Sequence, residues 1–147
     1  MPVMAFHGTA DDMVPYAGGQ IGAELRANAQ GRRAGRGDPT RGRCLAAEQL
    51  GADWAQTDGC DPTPTVEALS VPAGELAVTR LTWRDDSGPK VVLHRIEGGG
   101  HTWPGVTTAR RAAQGTGTSS LDATALLLDF FRGLADLRAV GGASEPG

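Results

Sequence analysis

The chain has 147 residues, the size of one domain, and 22 glycines with 9 prolines imply many turns and long connections. Lysine and arginine number 14 against 17 acids, for a net charge of −3, which disfavours nucleic-acid binding driven by bulk charge. No apolar run approaches the ~20 residues of a membrane span. The opening MPVMAFHG lacks the basic and apolar regions of an export signal, and two cysteines are too few for a disulfide scaffold and fit no zinc spacing.

The opening PVMAFHG reads as a short buried strand, and its continuous apolar run suits a parallel strand covered on both faces. A loop, TADDMVPYAGG, follows, and a weak helix is expected to start near Gln20 and include Ile21 and Leu25. Residues 26–43 crowd six arginines among glycines with one acid, Asp38, and read as a mobile surface loop. An RNA-binding reading of that loop competes, but no aromatic side chain interleaves the arginines to stack on bases. Leu45 to Trp54 is expected to be helical, with Ala46, Leu50 and Trp54 on one face, and to be ended by DGCDPTPT. Strands are predicted over 76–83 and 90–98, joined as a hairpin by RDDSGP. The last helix starts within SSLDATALLLDFFRGL, where Ser119 and Asp122 resemble a capping box and Leu121, Ala125, Leu128 and Phe131 mark one face. The terminal GGASEPG reads as a frayed tail.

Two segments place a titratable group directly after a strand. HGTADDMVPY carries Asp11 and Asp12 beyond the opening strand, and GGGHTWPG carries His101 beyond KVVLHRI. Sites in open α/β sheets form outside the carboxyl ends of strands, so an acid and a histidine there can meet. A carboxylate accepting from one imidazole nitrogen fixes the tautomer, and the other nitrogen then serves as a general base. Each residue also has a plainer reading: a loop aspartate often caps a turn, and a histidine in a glycine-rich loop often sits on the surface. Trp103-Pro104 would stiffen the His101 loop, while His7 and His94 read as structural.

Four blocks in order, HGTADDMVPYAGG, WAQTDGCDPTPT, IEGGGHTWPG and DATALLLDFF, resemble the C-terminal half of secreted α/β-hydrolase esterases. The group they resemble is the polyhydroxybutyrate depolymerases with their feruloyl and acetylxylan esterase relatives. The resemblance implies a partial α/β-hydrolase fold over residues 1–140, with 141–147 a flexible tail. It implies Asp11 as triad acid and His101 as triad base, with Asp12 standing where the family commonly has proline, so the choice between the two aspartates stays open. Trp103 and Tyr16 become candidate substrate-binding residues, the substrate a carboxylic ester (a polyester or a feruloyl or acetyl polysaccharide), the location extracellular, and no cofactor or metal is implied. In the family, the cysteine of the GC pair can bond to one in the later hairpin; this hairpin has none, so Cys60 is expected to be free or paired with Cys44.

The triad's nucleophile sits in a Gly-x-Ser-x-Gly elbow, and no such motif occurs here. The expected chain is therefore the acid–base part of a serine esterase, inactive alone, with three strands, two or three helices, and a first strand that exposes a pairing edge. The alternative is a non-catalytic pseudo-hydrolase that binds ester or glycan surfaces through Trp83, Trp103 and Tyr16.

Overall fold

The computed structural model describes residues 1–22, 42–106, 116–118 and 120–141. Most of the arginine-rich segment, Leu25, Ser119 and the tail beyond 141 lie outside them. The elements are β1 (Val3–Gly8), β2 (Gly19–Gln20), β3 (Arg43–Cys44), α1 (Ala47–Thr57), β4 (Thr65–Leu69), β5 (Val78–Asp85), β6 (Gly88–Ile96) and α2 (Ala123–Gly141). Four strands form one mixed sheet in the order β1-β6-β5-β4, with β1 parallel to β6 and the other pairs antiparallel. A mixed sheet with two helices is compatible with an α/β fold.

Strand alternation divides the core into two layers. Leu81 and Trp83 of β5 and Val91 and Leu93 of β6 pack against α1, joined by Val3 and Ala5 of β1. On the opposite face Val78 and Ile96 pack with Leu121, and Phe6, Leu76 and Leu126 close around them. The hairpin turns through Asp86 and Ser87, with Asp85 paired to Gly88 and the Asp85 carboxylate accepting from both the backbone and the hydroxyl of Ser87. β1 pairs with β6 alone among the described residues, and its side chains from Val3 to His7 are half-buried.

Several expectations need correction. Gln20 lies in the two-residue strand β2, paired with Arg43, and Ile21 follows in a turn rather than opening a helix. The connection between α1 and the hairpin holds a further strand, β4, at the edge of the sheet. Its side chains are largely exposed, so it lacks the apolar run that marks a buried strand. α1 starts at Ala47, with Ala46 as its extended N-cap. It buries Ala47, Gly51 and Ala55 and leaves Leu50 47% exposed, while Trp54 of the expected face does pack, partly buried, against the core; the centre of the inner face lies one residue away from the expected one. The cause is Trp83: a Cβ at Gly51 would come within 2.8 Å of the indole ring, so glycine faces the ring at the centre of the helix. In α2, Leu128 and Phe131 of the expected inner face are about half exposed and Leu126 packs inward. Asp122 itself caps this helix by accepting from the backbone N–H of Ala125. Trp83 is 2% exposed, which removes it as a surface-binding aromatic. Both cysteines are free thiols.

Candidate active site

Because β1 and β6 are parallel, their carboxyl ends lie at the same end of the sheet, and the loops that leave them lie side by side. The loops are stitched together: Thr9 N–H donates to the Ile96 carbonyl, Ala10 N–H to the Gly99 carbonyl, and Gly98 N–H to the Thr9 hydroxyl. Gly8 and Gly99 cross so closely that a Cβ on Gly8 would lie 2.0 Å from the Gly99 carbonyl oxygen. Only glycine permits that approach.

The crossing brings Asp11 to His101. The Oδ2 of Asp11 lies 2.8 Å from Nδ1 of His101, across a sequence separation of 90. The Asp12 side chain takes no part in that contact. Asp11 is 6% exposed, and its other oxygen accepts the backbone N–H groups of Met13 at 2.9 Å and Val14 at 2.8 Å. Burial alone would push its carboxyl up; the N–H groups of Val14 and Met13 and the His101 ring outweigh burial and hold it below the ordinary carboxylate value. A buried carboxylate with this partner set stays ionised and orients the imidazole. With Nδ1–H donated to Asp11, Nε2 of His101 carries the lone pair, and 40% of that side chain remains exposed.

A cavity of about 400 Å³ opens here, lined by His101, Asp11, His7, Phe6, Val14 and Trp103 among others. Trp103 stands at its edge, 40% exposed, with its indole N–H donating to Thr124 at the start of α2 and its ring edge-on to Phe6. Pro104 is buried beside it, and Gly105 N–H donates to the Thr118 carbonyl, so the far side of the His101 loop is tied to the segment entering α2.

Tyr16 does not line the cavity. Its hydroxyl donates to Glu48 of α1 at 2.8 Å, and burial, followed by the Glu48 carboxylate, pushes the phenol well above its ordinary value. Arg95 of β6 also reaches Glu48, at 3.2 Å. His94 is 1% exposed and stacks on Phe6. His7 lines the cavity, and its Nε2 lies 2.8 Å from the Val14 carbonyl and 3.6 Å from Oδ2 of Asp11. The signal that could have drawn attention to His7 is its position four residues before Asp11 at the end of the same strand.

Among the described residues, no group of three or more histidine, cysteine, aspartate or glutamate side chains could hold a metal ion. No helix is long and apolar enough to cross a membrane among the described residues. Ser87 sits in the hairpin turn and Ser120 lies beside Thr118; neither lines the cavity.

No protein-family model matches the chain. No solved structure matches it either. Over 136 residues the sequence is 30% identical to “Putative esterase NocK” of Nocardia uniformis subsp. tsuyamanensis. The match covers 90% of this chain and 38% of that relative, so the chain spans well under half the length of the protein it resembles. The chain is thus a distant relative of an esterase-like protein.

Proposed function

We propose that this chain supplies the acid and base of a Ser-Asp-His ester hydrolase of the polyhydroxybutyrate depolymerase type, with Asp11 as acid and His101 as base. The observation that carries the reading is the 2.8 Å contact between Asp11 and His101 at the adjoining ends of two parallel strands. The distant similarity to an esterase-like protein supports the same chemistry. The nucleophile in this reading is a serine outside these 147 residues.

In the reaction, Nε2 of His101 takes the proton as the serine oxygen bonds to the ester carbonyl carbon. The carbon–oxygen bond to the alcohol breaks, and the imidazolium returns its proton to the departing alkoxide. Water then attacks the acyl-enzyme by the same route and releases the acid and the free serine. Asp11 stays ionised throughout and stabilises the imidazolium. Trp103 and Phe6 offer an apolar wall for the part of the ester that lies beside the base. The substrate is a carboxylic ester of polyester or plant cell-wall type, and the site of action extracellular, by the resemblance of HGTADDMVPY and GGGHTWPG to that group.

Complementation tests the proposal. The chain is co-expressed with the nucleophile-bearing N-terminal half of a related esterase, and hydrolysis of short p-nitrophenyl esters is measured. The expected outcome is activity in the mixture that falls by about 10³-fold or more with His101→Ala. The chain alone should show no turnover and no labelling by a fluorophosphonate. Labelling of the chain alone, or a complemented activity indifferent to both Asp11→Asn and His101→Ala, overturns the reading.

A further inference from the structure

We propose that His7 is a positioning residue for the Asp11–His101 pair: by holding the Val14 carbonyl it fixes the loop whose backbone N–H groups aim the Asp11 carboxylate at His101. The inference rests on the acid–base reading of that pair and adds a residue to it.

The geometry is specific. Val14 is gripped from both sides of its backbone: its N–H donates to Oδ1 of Asp11 at 2.8 Å, and its carbonyl accepts from Nε2 of His7 at 2.8 Å. The next residue back, Met13, donates its N–H to the same Asp11 oxygen, and its carbonyl accepts from Gly22. The Asp11 carboxylate therefore takes its direction from two backbone N–H groups, and Val14, which carries the second, is anchored to β1 at its own carbonyl through one ring. That ring is itself held, in a T-shaped contact with Tyr16 at a centroid distance of 5.4 Å, while the Tyr16 hydroxyl is tied to Glu48. Donation to a carbonyl requires the proton on Nε2 of His7. The same Nε2 lies 3.6 Å from Oδ2 of Asp11, the oxygen that meets His101. His7 thus sits beside the carboxylate without displacing its hydrogen bond to His101.

Two substitutions separate this role from simple packing. His7→Phe keeps an aromatic ring against Tyr16 and removes the donor. His7→Gln removes the ring and keeps an N–H near the position of Nε2. The readout is exchange of the His101 Nδ1–H proton with water, followed by NMR on the ¹⁵N-labelled chain, together with the thermal midpoint. We expect at least tenfold faster exchange in His7→Phe and a change under threefold in His7→Gln, with the His7→Phe fold retained. An unchanged signal in His7→Phe overturns the proposal while leaving the Asp11–His101 pair intact. If His7→Phe does not fold, His7→Gln decides: a retained signal supports the role and a tenfold loss of protection overturns it. If the wild-type chain shows His101 as the Nε2–H tautomer, the acid–base reading fails. His7 is then judged on the Met13 and Val14 amides, whose protection should be lost in His7→Phe and kept in His7→Gln; protection kept in both overturns it.

Discussion

Two buried titratable side chains contribute to how this molecule responds to acid, in adjoining pH windows. His94 is 1% exposed. Burial first, and then the charge of Arg80, lower its ring from 6.5 to about 4, against a weaker backbone contact at Ala5 that raises it. Above pH 6.5 both native and unfolded chains hold a neutral ring, and His94 makes no pH-dependent contribution. Between 6.5 and about 4 the unfolded chain binds a proton that the native chain refuses, so stability falls with falling pH. Each pH unit across that window costs about 1.4 kcal/mol, for a total loss of about 3 kcal/mol. His94→Leu should flatten the fall of the urea midpoint between about pH 7.5 and 4.5, whatever its effect on absolute stability; an unchanged slope would count against this assignment. Asp11 acts lower on the scale. Its carboxyl is held below the ordinary 3.8, so its contribution is complete above that value and is lost as the pH falls through its lower native value. Asp11→Asn should cost about 1–3 kcal/mol at pH 7, since the carboxylate accepts two backbone N–H groups and a ring N–H. The same variant should weaken the acid dependence below pH 3.8, as read by denaturant unfolding.

The helices show where pattern reading succeeds and where sterics decide. The hairpin was legible because LAVTRLTW and KVVLHRI are strand-like runs around a turn-forming DDSG. The existence of α1 was legible as well, but its inner face was not. Periodicity weights large apolar side chains, whereas Trp83 lies close enough to α1 to require a glycine at 51, in the middle of the buried Ala47, Gly51 and Ala55 stripe. β4 is not legible in the sequence because an exposed edge strand following Pro62 and Pro64 carries no buried run. Two glycine substitutions make the steric argument quantitative. Gly51→Ala gains about 1 kcal/mol of helix propensity. Even so, it should destabilise the protein by about 1–2 kcal/mol net, because the new Cβ meets a ring that is 2% exposed and has no room to retreat. Gly133→Ala in α2 meets nothing within 4 Å and should stabilise by about 0.5–1 kcal/mol. Chemical denaturation of the two variants should give shifts of opposite sign. Equal shifts would show that propensity, not contact, decides at both positions.

At the scale of the whole molecule, the meeting of Asp11 and His101 was legible as topology: two loops leaving strands, with an acid in one and a histidine in the other. What sequence left open was which aspartate turns inward, because that depends on the Met13 and Val14 N–H groups receiving its oxygen. The role of Trp83 as core rather than binding surface was likewise invisible, since exposure is a property of the assembled sheet. The parallel pairing also has a kinetic consequence. β5 and β6 are joined by a two-residue turn, so their contacts close over a short loop, whereas β1 must find β6 with Val3 opposite Val91. Closing so long a loop is entropically costly before any contact rewards it, so non-local pairing of this kind forms slowly. In refolding monitored by pulsed hydrogen exchange, amides of Val78–Ile96 should become protected before those of Val3–Gly8. The Asp11–His101 contact then forms with the last strand to dock, which makes it a reporter of completed folding. A two-residue slip of β1 keeps its side chains on their proper faces, yet at about 3.3 Å per residue it would part acid from base by more than about 6 Å. Misregistered molecules would therefore look folded by helix content and be recognisable by the missing His101 proton signal.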